Sequence, residues 1–372
     1  MRLTSGQVNC WGANDAGQLG DSTTDDHQTP VRVVAVGGSG NLSTVTAVVA
    51  GSRHSCALLS GGQVACWGAN FSGQLGVGTT DAHTTPVLVR DISGRGDLND
   101  VRSLHVGADH TCALLTSGQV VCWGANGSGQ LGDGTATNRS VPTLVSGPDG
   151  RPMAGVRALA AGGFHTCATG STGNVLCWGS NLFGQLGDGT TVDRVVPTAV
   201  LDADGDGTFG GVRTLTAGSF HTCAILVSSR AACWGANFFG QLGDGSARDR
   251  TVATPVVPVG GGDGQLRAVR ELIAAGNHTC SLLGTGTVAC WGGNDNGQLG
   301  IDTTEPQQTP ALVLTADANP LGGIRAIAAG SHHSCAMPTD GRLTCWGGND
   351  RGQLGDGSRT ERSTPGWVAT TI

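Results

Sequence analysis

Short apolar segments separated by glycine-bearing polar turns recur along the whole chain. The unit is clearest at residues 110–135, HTCALLTSGQVVCWGANGSGQLGDGT, where CALL and VVCW flank the turn Thr116-Ser117-Gly118. Apolar runs this short, bounded by glycine, fit the strands of a sheet. The unit returns from His54, His165, His221, His278 and His333, and a partial copy opens the chain as LTSGQVNCWGANDAGQLGDST. Seven Cys-Trp-Gly triplets start at Cys10, Cys66, Cys122, Cys177, Cys233, Cys290 and Cys345, separated by 56, 56, 55, 56, 57 and 55 residues. A period this regular predicts a closed repeat array, an all-β, seven-bladed β-propeller of four-stranded antiparallel blades.

Each full unit parses as four strands, A to D. In the third copy VRSLHVG (101–107) is A, HTCALL (110–115) is B, QVVCWG (119–124) is C, and VPTLV (141–145) marks D. A proline opens D at Pro30, Pro86, Pro142, Pro197, Pro255, Pro310 and Pro365, where an outermost strand need not donate to a ladder. The repeats run over about 1–45, 46–100, 101–155, 156–211, 212–268, 269–323 and 324–372, one propeller domain in all. Residues 1–36 hold only strands C and D, so the first blade is incomplete in this chain. Its open edge invites strands from a partner or self-association. The last blade closes on a D strand in GWVATT.

Cysteine spacing fixes the register of the central hairpin. Cys112 and Cys122 lie symmetrically about Ser117, so they face each other and point to one side of the sheet. The three-residue loop needs a left-handed residue at its end, which Gly62, Gly118, Gly173, Gly286 and Gly341 supply; Ser229 replaces it in the fifth copy. A non-hydrogen-bonded pair brings the Cα atoms to about 4.5 Å, within reach of a disulfide. Six such pairs follow: Cys56–Cys66, Cys112–Cys122, Cys167–Cys177, Cys223–Cys233, Cys280–Cys290 and Cys335–Cys345. Cys10 is left without a partner. Bridges of this density favour an exported protein, secreted or at the cell surface, over a ladder of reduced thiols in the cytosol. Zinc is disfavoured, because the paired strands lack a Cys-x-x-Cys spacing.

Composition narrows the function classes. Net charge is −7 with no run of basic residues, which argues against nucleic acid and anionic membrane surfaces. No apolar run is long enough to span a membrane as a helix. No GxSxG elbow, P-loop or HExxH motif occurs, and the histidines recur as scaffold, so an enzyme is not expected. A propeller hydrolase or lyase would need non-repeating carboxylates converging on the axis.

AGxxHTCAL followed by CWGxNxxGQLGDGT resembles the repeat of the regulator of chromosome condensation family, over essentially the whole chain. The resemblance implies a seven-bladed propeller. The eukaryotic founder of that family is an exchange factor for a small GTPase and binds nucleosomes, which makes an intracellular exchange-factor-like regulator the alternative function. This chain lacks a basic tail, and no exchange-active residue is matched. A plant ultraviolet-B photoreceptor of the same fold uses tryptophans beside the repeat histidine; here those places hold Arg53, Asp109, Phe164, Phe220, Asn277 and His332. The paired cysteines look like those of extracellular bacterial members, and the fold resembles the secreted type II β-lactamase inhibitor, which binds another protein with aromatic residues of one face.

Function should reside where the copies differ, because positions alike in every blade point in seven directions. That assigns GQLG, the tryptophans and the repeat histidines to the scaffold, although a histidine ring could also hold an anion or metal. Two variable places share one face: the residue before each strand-B histidine, and the pair between WGxN and GQLG. There Phe71, Phe164, Leu182, Phe183, Phe220, Phe238 and Phe239 collect, mostly in blades four and five. Exposed aromatics mark protein interfaces, so these are the candidate partner-binding residues. The competing reading folds the rings inward to seal the two blades together. On the other face the loop LDADGDGTFGG carries Asp202, Asp204 and Asp206 in the order of a calcium loop, but Arg213 stands where a bidentate Glu would complete it. A plain acidic loop without a cofactor is the expectation.

Overall fold

The computed structural model describes residues 1–369, so Thr370 and Thr371 of GWVATT lie outside the described residues. Among those described are six four-stranded antiparallel sheets and one two-stranded sheet, each built from one repeat. In the third blade A is Val101–Val106, B His110–Leu115, C Val120–Gly124 and D Arg139–Leu144, hydrogen-bonded in that order. The count of complete blades is therefore six rather than seven. The first repeat supplies strands C (Asn9–Gly12) and D (His27–Arg32), preceded by the end of a B-type segment in which Arg2 bridges Val8.

The central hairpins form as their turn chemistry requires. Gly118 N donates to Leu115 O and Leu115 N to Gln119 O, with Gly118 at φ +81°. Ser229 takes the same left-handed conformation at φ 58°, which a side chain adopts only against steric resistance. Cys112 stands opposite Cys122, and the same register sets Cys167 against Cys177, Cys223 against Cys233 and Cys280 against Cys290. All four pairs are bridged, as are Cys56–Cys66 and Cys335–Cys345. The Cα–Cα distance is 4.1 Å in each, closer than the spacing expected of an unbridged pair. The strand-B members Cys167, Cys223 and Cys280 are buried against the following blade. There Cys167 Sγ lies 3.8 Å from Thr222 Oγ1, and Cys280 Sγ lies 3.7 Å from Ser334 Oγ. These cysteines therefore serve the core and present no surface to a ligand. Cys10 is free.

Strand D departs from the sequence reading. It starts three residues before the proline in most blades, so Pro142 is the fourth residue of Arg139–Leu144. A register shift between strands C and D, from Arg139 to Thr143 in this blade, uncouples the proline from the ladder. In blade five Pro255 ends the strand Arg250–Pro255, and Ala253 occupies the usual proline place.

The core lies between blades. Cys56, Leu58, Val64 and Cys66 of blade two pack with Leu104, Ala113, Val121 and Trp123 of blade three in one buried cluster. Six tryptophans are fully buried in this way. Gly132 shows why the second glycine of GQLG is required: a Cβ there would lie 2.6 Å from Trp178 Nε1, at φ +67°. The two-stranded first blade joins its neighbours by the same contacts: Trp67 Nε1 donates to Gln18 O, and Trp11 Nε1 donates to Gln353 O across the ends of the chain.

Candidate functional site

The repeated polar residues are consumed by the scaffold. Asn126 is fully buried; its Oδ1 accepts from Leu131 N, and its Nδ2 donates to Asp133 and Thr135. Asp133 in turn holds Arg139 at 2.7 Å. The same Asn–Asp–Arg arrangement recurs at Asp188–Arg194 and Asp244–Arg250. GQLGDGT is thus a self-capped loop rather than a ligand site.

The histidines tie each blade to the next. His54 Nε2 meets Thr111 Oγ1 at 2.9 Å, and that hydroxyl donates to Gln74 O, which also accepts from Trp123 Nε1. Because the hydroxyl spends its proton on the carbonyl, it accepts from His54, which places the imidazole proton on Nε2. The link repeats from His110 to Thr166, His165 to Thr222, His221 to Thr279 and His278 to Ser334. Burial pushes His110, His165, His221 and His278 down to about 3 and His54 to about 4, so these imidazoles are neutral. Their Nδ1 atoms are buried and, among the described residues, have no hydrogen-bond partner. They do not converge: among the described residues no group of three His, Cys, Asp or Glu side chains could hold a metal.

The aromatic residues of blades four and five do converge. Phe164 stacks on Phe220 at 5.4 Å between ring centroids; Phe183 meets Phe220 edge-on at 5.3 Å and Phe238 edge-on at 5.4 Å. Leu182 and Phe238, 66% and 61% exposed, crown the cluster, while Phe183 and Phe220 are half-buried beneath. The rings neither drop into the core nor stand apart. Edge-to-face pairs hold one another in place, so the patch is fixed in advance of any contact. The Cβ of Phe239 lies beside Gly293 of blade six, and Phe71 lies on blade two, 73% exposed.

Elsewhere this face carries polar and charged pairs. Arg53 pairs with Asp15 at 2.7 Å, Arg351 with Asp26 at 3.2 Å, and Asn296 donates to Glu361. The apolar sector of blades four and five thus shares its face with ion pairs of blades one, two and seven and with a hydrogen bond between blades six and seven. The ion pairs were not singled out from the sequence; opposite charges at corresponding variable places, Asp15 and Arg53, were the available signal.

On the opposite face the acidic loop proves to be one copy of a recurring small hairpin. Asp202 N donates to Gly207 O as Asp91 N does to Gly96 O, and Asp202 Oδ1 accepts from Gly205 N and Gly207 N. Asp204 and Asp206 are exposed. The carboxylate best placed for a cation is occupied by its own loop.

A cavity of about 700 Å³ opens where strands A and B of the first blade would lie. Cys10, His333, Ser55, Gln353 and the inner strands Val45–Ala50 and Ile324–Ala329 border it.

The model of the RCC1-like domain matches residues 2–268, and models of the regulator of chromosome condensation repeat match residues 285–337 and 324–353. The ultraviolet-B receptor UVR8 of Arabidopsis thaliana is 28% identical over 367 residues, 98% of this chain and 78% of the receptor. A secretion-regulating guanine nucleotide exchange factor of Mus musculus is 29% identical over 95% of this chain and 77% of its own length. The E3 ubiquitin-protein ligase HERC2 of Mus musculus is 27% identical, but the chain spans only 7% of that protein. Among solved structures, yeast RCC1 (Prp20) bound to Kap60 superposes with a TM-score of 0.79 at 20% identity, covering 98% of this chain and 84% of that one. Human WBSCR16 gives 0.79 at 22%, covering 98% and 94%. The repeat chemistry, the blade topology and the match over most of the sequence agree: this chain is a member of the RCC1-like domain family.

Proposed function

We propose that the chain is a non-catalytic recognition module that binds another protein with the aromatic sector of blades four and five. The observation that carries this reading is the contiguous cluster of Phe164, Phe183, Phe220 and Phe238, partly open to solvent on a face that elsewhere carries ion pairs. A desolvatable aromatic centre inside a polar rim is the arrangement in which interfaces concentrate binding energy. Solved relatives bind proteins: yeast RCC1 (Prp20) is bound to Kap60 in one structure, and Prp20p has binding properties to Gsp1p and histones. The six disulfides support an oxidising compartment, and with it a secreted or surface protein meeting an extracellular macromolecule. The alternative, exchange of nucleotide on a small GTPase, rests on the name of one relative.

Truncating Phe220 and Phe238 together to Ala is expected to preserve all six bridges while weakening partner binding by about a thousandfold, at roughly 2 kcal/mol for each central aromatic. Affinity measured by calorimetry against the partner isolated with the native chain checks this. Undiminished affinity, or loss of the fold, would reject the interface in favour of a packing role for the rings.

A further inference from the structure

Blades one, three, four, five and seven close the approach to strand D with an acid paired to a base. The pairs are Asp21 with His27, Asp133 with Arg139, Asp188 with Arg194, Asp244 with Arg250 and Asp356 with Arg362. Blade two holds Val77 and His83 in those places, so the lock cannot form there. A groove of about 700 Å³ opens instead, between strand D of blade two and the hairpin at Val36, Gly37 and Gly38 of blade one. At other junctions this hairpin leans on the next strand D. A Cβ built at Gly94 would lie 3.7 Å from Val141 Cγ1 of blade three, and one at Gly261 would lie 3.5 Å from Thr309 Cγ2 of blade six. At the corresponding Gly38 nothing among the described residues lies within 4 Å.

The groove follows the edge of a sheet. Thr85, Pro86, Val87 and Leu88 all border it, and side chains of a strand alternate between faces, so four in a row share one cavity only along the strand's edge. Strand D is the outermost strand of its blade. Val89 N donates to Val64 O, which turns the N–H and C=O of Leu88, one residue earlier, away from strand C. At the far end Arg90 meets Asp97 at 3.6 Å, longer than a hydrogen bond, with both side chains partly exposed. Its guanidinium can therefore take a second acid.

We propose that this groove is a binding site separate from the aromatic sector, and that it takes an extended peptide segment of another protein as a fifth, antiparallel strand on blade two. His83 and Arg90 stand seven residues apart, so the groove accommodates roughly 20 Å of extended chain, or about seven residues. Antiparallel addition sets the N-terminal end of the peptide beside Arg90, where an acidic residue fits. Apolar side chains at alternate positions meet Val36, Val77 and Val87, while the backbone pairs with Leu88.

The test titrates the intact chain into dye-labelled, acetylated EVTVTVT and follows fluorescence anisotropy. ETTTVVV, of the same composition without alternation, and KVTVTVT, with the end charge reversed, are the controls. EVTVTVT is expected to bind one-to-one, about tenfold tighter than ETTTVVV, and to slow amide hydrogen exchange at Leu88. Arg90→Glu is expected to weaken EVTVTVT by about fivefold and to strengthen KVTVTVT. Val77→Asp combined with His83→Arg, which installs the lock of blade three, is expected to abolish binding with all six bridges kept. Equal affinity for EVTVTVT and ETTTVVV, exchange slowed away from strand D of blade two, or undiminished binding by the doubly substituted chain would overturn the proposal.

Discussion

Acidification from about pH 7 to about pH 4 is expected to unfold the propeller at equilibrium in one steep transition, despite its six disulfides. His54, His110, His165, His221 and His278 are fully buried and neutral, held at about 3 to 4, whereas in the unfolded chain each takes up a proton near 6.5. Between those values only the unfolded state is protonated, so stability is whole above about pH 6.5 and falls as the pH drops. Each imidazole costs ~1.4 kcal/mol per pH unit in this window. Near pH 4.5 the five together reach the ~5–15 kcal/mol that holds a typical domain. His333 borders the cavity and is left out of this sum.

Carboxylates act later. Burial opposes the charge on Asp133, Asp188 and Asp244, but Thr or Ser hydroxyls and partner arginines outweigh it and hold all three below the usual carboxylate range. Their share of stability is therefore lost only below about pH 4. Urea midpoints at successive pH values check the order. A midpoint unchanged between about pH 6 and pH 4.5 would contradict the buried neutral ring.

The second large effect is on reduction. Each bridge closes a loop of sequence separation 10, for which chain entropy gives about 3 kcal/mol, and six sites sum to more than a typical domain's stability. The true loss is smaller, because a local hairpin retains order without its bridge. Every bridged sulfur lies in a buried residue, so reductant is expected to act through unfolding rather than on the native chain. Alkylation of the denatured, unreduced protein should add one group per chain, at Cys10. Native protein carrying thirteen free thiols at unchanged stability would remove both the bridges and the oxidising compartment inferred from them.

What was legible in the sequence was whatever repeats. The palindromic spacing of Cys112 and Cys122 about Ser117 dictated the hairpin, its register and its disulfide, because side chains alternate strictly along a strand. The same spacing carried over to the pairs begun by Cys167, Cys223 and Cys280, but it could not show that the Cys167 and Cys280 sulfurs pack against hydroxyls of the next blade. Strand D was less legible, since the shifted register at Arg139–Thr143 lets Pro142 sit inside a strand. Sequence placed the phenylalanines on one face but could not say which rings touch. Phe239 differs from Phe238 by one residue, yet only Phe238 joins Phe183.

Site-specific photo-crosslinking in the organism's own milieu distinguishes recognition through the aromatic sector from recognition through the opposite face. A benzophenone side chain at Leu182 or Phe238 is expected to capture one defined protein, while the same probe at Asp204 on the opposite face captures none. Capture at Asp204 alone, or equally from both faces, would exclude the aromatic sector as the binding face.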